Sequence, residues 1–87
     1  MNDARPARVA KRSIVIAGHA TSITLEDAFW RTLKAIATRR GLSLAGLVAE
    51  IDAGRGEANL SSAIRVFTLE QALRGEIAPA TNAPELQ

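Results

Sequence analysis

The chain has 87 residues, a formal net charge of +2, one histidine and no cysteine. Without cysteine there are no disulfides, thiolate metal centres or thiol redox chemistry; one histidine cannot build a metal site without several carboxylate partners, and no cofactor is expected. A chain this short is a single domain with a modest core, and pairing of two copies is the expected way to complete it.

Charge is unevenly spread. Residues 1–40 hold eight Lys and Arg against three Asp and Glu, whereas residues 41–87 hold three against six. A basic half and an acidic half suit a protein that turns one face to a polyanion, although a solvated basic tail gives the same count. The start, Met1-Asn2-Asp3-Ala4-Arg5-Pro6, has no signal-peptide character. The apolar run Ile14 to Ala17 is too short for a secretory or membrane segment, so a cytoplasmic protein without membrane contact is expected.

Residues 1–12 are Arg-, Ala- and Pro-rich without periodicity and are expected to form a flexible basic arm. Ser13 to Ala17 is rich in β-branched residues and reads as a short strand, broken at Gly18-His19. A second strand of about residues 20–25 follows, with Thr21, Ile23 and Leu25 on one side and Ser22 and Thr24 on the other. Before the break the inward residues are even-numbered (Ile14, Ile16); after it they are odd (Ile23, Leu25). A one-residue slip turns a strand over, so Gly18 marks a bulge, a bend or a tight hairpin turn, and the sequence leaves the three open.

The period then changes to about 3.6. A first helix is predicted over about 26–40, with Phe29, Trp30, Leu33, Ile36 and Ala37 as its apolar stripe. Glu26 and Asp27 at its start and Arg39 and Arg40 at its end suit the helix dipole, and Gly41 stops it. Ser43 caps a second helix of about 43–53, with Leu44, Leu47, Val48 and Ile51 as its stripe. Asn59 or Ser61 caps a third, of about 60–74. Its Leu60, Ile64, Val66, Phe67, Leu69 and Leu73 cover so wide an arc that it should be largely buried, in part against a second copy. The folded domain is thus expected at 13–74, followed by a flexible tail at 75–87.

Ser22-Ile23-Thr24-Leu25-Glu26-Asp27 entering a helix, the Leu33, Ile36, Ala37 spacing, and Arg40-Gly41-Leu42-Ser43 leading to Leu47-Val48 resemble the ribbon-helix-helix proteins of bacteria and phage. With Lys11 to His19 and Asn59 to Phe67 included, the likeness is to a subgroup with an extra C-terminal helix and covers about 11–74. The fold implied is mainly α with one short β-ribbon, an intertwined homodimer plus a third helix. The resemblance further implies that two chains pair their strands into a ribbon that enters the major groove of double-stranded DNA. Outward strand residues then touch bases, and the start of the second helix holds a phosphate.

Carried over by position, the base-contacting residues are Ala20, Ser22 and Thr24, with His19 beside them; the phosphate contacts are Ser43 and Leu44, with Lys11, Arg12 and Arg40 as basic candidates. The first outward position often carries a long basic or amide side chain in the family, but here it is Ala20, which offers only a methyl contact to thymine. The function implied is a dimeric, sequence-specific transcriptional regulator, a repressor. The alternative is a dimeric protein-interaction or antitoxin-type module with weak or no direct DNA readout. Nothing in the sequence has the pattern of an enzyme: there is no Gly-rich phosphate loop, no nucleophile beside His19 and no carboxylate pair at a telling spacing.

Overall fold

A computed structural model describes residues 7–75. Two strands, β1 (Val9–Ile16) and β2 (His19–Glu26), are followed by three helices, α1 (Asp27–Arg40), α2 (Leu44–Gly54) and α3 (Leu60–Leu73). Of the expected arm at 1–12 and the expected tail at 75–87, residues 1–6 and 76–87 lie outside the described residues.

The break at Gly18 is a hairpin turn. Ala17 and Gly18 have φ of 51° and 85°, as a two-residue type I′ turn requires, and its twist matches that of the flanking strands. The register pairs Ile16 with His19, Ile14 with Thr21, Arg12 with Ile23 and Ala10 with Leu25. Even residues of β1 therefore share a face with odd residues of β2, which explains the change of parity along the sequence. Both strands of this hairpin lie in one chain; the ribbon that the resemblance implies takes a strand from each of two chains.

β1 begins at Val9, inside the segment expected to be a flexible arm. Tertiary partners draw these residues in. The Trp30 indole N–H donates to the Ala10 carbonyl at 3.0 Å, and the Arg12 guanidinium lies 5.2 Å from the centroid of the same ring. The Asp27 N–H donates to the Arg8 carbonyl at 2.7 Å, extending the ladder one pair beyond β1.

Helix ends follow local chemistry. At Gly41, φ is 71°; its N–H donates to the Thr38 carbonyl and that of Leu42 to the Ala37 carbonyl, the paired bonds of a Schellman stop. Ser43 Oγ accepts from the Gly46 N–H at 2.9 Å and Asn59 Oδ1 from the Ser62 N–H at 2.8 Å, so α2 and α3 each start on a side-chain cap. The core joins Ile14, Ile16, Ile23 and Leu25 of the hairpin to Trp30, Leu33, Ile36, Ala37, Leu47, Val48 and Ile64 of the helices. The helices thus form one layer behind the hairpin, and among the described residues nothing covers the hairpin's other face.

α3 is less covered than its sequence suggests. Ile64 is buried, and Leu60 and Phe67 are partly buried, but Val66, Leu69 and Leu73 are 55, 58 and 78% exposed. Among the described residues of one chain, nothing covers this apolar stripe.

Candidate nucleic-acid interface

The bare face of the hairpin consists of four cross-strand pairs: Val9 with Glu26, Lys11 with Thr24, Ser13 with Ser22, and Val15 with Ala20. Ala20, Ser22 and Thr24 project from it and are exposed, as are Lys11, Ser13 and Val15 opposite them. Alternation positions these side chains: with Ile14, Ile16, Ile23 and Leu25 fixed in the core, their neighbours must face away.

Glu26 is the acidic member of this face and its charge is held. Arg65 of α3 donates to its carboxylate at 3.0 Å. This bond, together with a hydrogen bond from the Glu26 backbone, keeps the carboxyl below its ordinary range despite the opposing effect of desolvation. An approaching phosphate would meet an ion pair instead of a bare anion.

The outer edge of β2 is braced as well. Ser61 Oγ, in the first turn of α3, donates to the Thr24 carbonyl at 3.0 Å. In the ladder Thr24 belongs to a non-hydrogen-bonded pair, so its carbonyl points away from β1. A strand from a second chain joining β2 on that side would share this carbonyl with Ser61 or displace it.

The remaining candidates are dispersed. Arg12 and His19 have the parity of the helix-facing side, so neither projects with Ser22 and Thr24; Arg12 covers Trp30, and His19 sits exposed beside the turn. Arg40 reaches α3: its guanidinium donates to Gln71 Oε1 at 3.1 Å and lies over the Phe67 ring at 5.3 Å. Ser43 is exposed and Leu44 half-buried at the start of α2, a first turn without acidic residues, and α2 packs against β1. Such a helix start presents backbone N–H groups and partial positive charge. Ser13 and Val15 join this face only through the two-residue turn, which brings odd residues of β1 opposite even residues of β2; with the turn open, the sequence does not mark them.

No helix among the described residues is long and apolar enough to cross a membrane. A family model described as a ribbon-helix-helix domain matches residues 9–72. Among solved structures, an uncharacterized protein from Bordetella pertussis Tohama I is 36% identical, with a TM-score of 0.70, over 93% of this chain and 70% of that one. No curated protein matches the chain. The family match spans both strands and nearly all of the three helices, and so the chain belongs to the ribbon-helix-helix domain family, whose members are in general DNA-binding regulators.

Proposed function

We propose that the protein is a homodimeric, sequence-specific binder of double-stranded DNA that acts as a transcriptional repressor in the cytoplasm and has no catalytic activity. The observation that carries this reading is the bare hairpin face, where Ser22 and Thr24 stand exposed on a two-stranded ribbon. The major groove admits a two-stranded β-ribbon, and hydroxyl side chains bond to base edges there. Ala20 contributes apolar contact, and the start of α2 at Ser43 and Leu44 serves as phosphate anchor. Dimerisation uses the α3 stripe: Val66, Leu69 and Leu73 recur at intervals of three and four residues, the spacing of a helix–helix seam.

Titration of duplex DNA at several salt concentrations tests the reading. Log affinity should fall linearly with log salt, with a slope reporting the phosphates neutralised. Absence of duplex binding at low salt contradicts it.

A second reading is a dimeric interaction or antitoxin-type module that reads DNA weakly. It is favoured by Val15 and Ala20, which give part of the ribbon no hydrogen-bonding capacity, and by the apolar stripe on α3. A stable protein partner that occludes the hairpin face favours this reading; binding to an inverted-repeat operator counts against it.

A further inference from the structure

We infer that the groove between α2 and α3 is a docking site for a short, basic amphipathic helix of a partner protein. The groove has a volume of about 460 Å³. Its floor is apolar: Leu47 is buried, and Ile51, Ala63 and Phe67 are half-buried. Glu50, Ser62 and Glu70 line it as well and stand exposed. No hairpin residue belongs to the lining, so an occupant would leave the proposed DNA face uncovered, and the inference does not depend on that reading.

Length and charge identify the occupant. On α2 the lining runs from Leu47 to Gly54, and on α3 from Ser62 to Glu70. At about 1.5 Å per residue each wall is roughly 10–12 Å long, or two turns of helix. A helix laid in a groove anchors itself by apolar side chains at i, i+4 and i+7, which span the same two turns. Arg55, the cation of the lining, is held within the chain: its guanidinium donates to Asp52 Oδ1 and to the Ala58 carbonyl, both at 2.6 Å. Arg40 bonds to Gln71 and covers the Phe67 ring, and it does not line the groove. Glu50 and Glu70 have no cationic partner among the described residues. Each wall therefore offers one carboxylate beside an apolar floor, which selects Lys or Arg next to the occupant's apolar anchors. Val66 also belongs to the α3 stripe proposed as the seam between two copies, whereas Leu47, Ile51, Ala63 and Phe67 do not.

The test uses the full chain and three fluorescein-labelled peptides of about 15 residues, near the length at which a helix holds in water. One carries leucines at i, i+4 and i+7 flanked by lysines. The second has glutamates in place of the lysines, and the third has serines in place of the leucines. Fluorescence anisotropy should show the lysine–leucine peptide binding roughly ten-fold more tightly than either control. The double variant E50K/E70K, exposed at both positions and checked for folding by circular dichroism, should invert the preference between the lysine and glutamate peptides. Backbone amide NMR shifts on binding should map to Glu50, Ile51, Ala63 and Phe67. Equal binding of the lysine and glutamate peptides overturns the inference, and so does equal binding without the leucines, the mark of charge attraction alone. Shifts confined to the hairpin overturn it too. So does a failure to bind because a second copy already covers these amides. Duplex binding is measured separately, and none of these outcomes alters it.

Discussion

At the scale of single residues, the same few side chains hold the hairpin to the helices and decide which charges remain for a ligand. Trp30 is nearly fully buried, bonded to the Ala10 carbonyl and covered by Arg12, so it anchors β1 to α1. Glu26 and Arg65 tie the root of β2 to α3. The Glu26 carboxyl is held below its ordinary range in the folded chain, so this ion pair contributes stability above the carboxyl's unfolded value. That contribution is lost as pH falls through its folded value. Melting temperatures of wild type and Glu26→Gln should accordingly differ at neutral pH and converge on acidification; a constant difference across pH argues against the ion pair. Residue placement was only partly legible in the sequence. Alternation puts Ser22 and Thr24 outward without any structure, whereas the stacking of Arg12 on Trp30 joins residues eighteen positions apart and leaves no local periodic signal.

At the scale of elements, the hairpin determines which residues can act together. The alternation of Thr21 to Leu25, the stripe of α1, the Gly41 stop and the Ser43 cap are local signals, and α1 and α2 fall where those signals put them. The turn was ambiguous because a type I′ turn favours Asn-Gly or Asp-Gly, and Ala17-Gly18 lacks that signature. Residues 9–12 carry little β preference of their own, and pairing to β2 brings them into the strand. Ala17 stays at positive φ, where a residue with a Cβ other than Asn or Asp is disfavoured. Ala17→Asn should therefore stabilise the protein by about 0.5–1 kcal/mol in urea denaturation. A destabilised A17N would show that the loop is not a type I′ turn.

At the scale of the whole molecule, two faces are left without partners among the described residues: the outward face of the hairpin and the stripe of Val66, Leu69 and Leu73 on α3. The sequence shows that α3 is broadly apolar, but not that a single chain leaves one side of it bare, because that depends on how many helices pack around it. If the stripe joins two copies, wild type should sediment at about twice the 9.2 kDa chain mass, and Leu69→Glu should sediment as a folded monomer. An unchanged mass in L69E would move the dimer contact elsewhere. The central claim, that the hairpin face engages duplex DNA, is tested most directly by following backbone amide NMR resonances during duplex titration. Shifts should concentrate at Lys11, Ser13, Ala20, Ser22 and Thr24 on the hairpin and at Leu44 and Ala45 at the start of α2, and should reverse with added salt. Shifts confined to α3, or none on the hairpin at saturating duplex, contradict the claim.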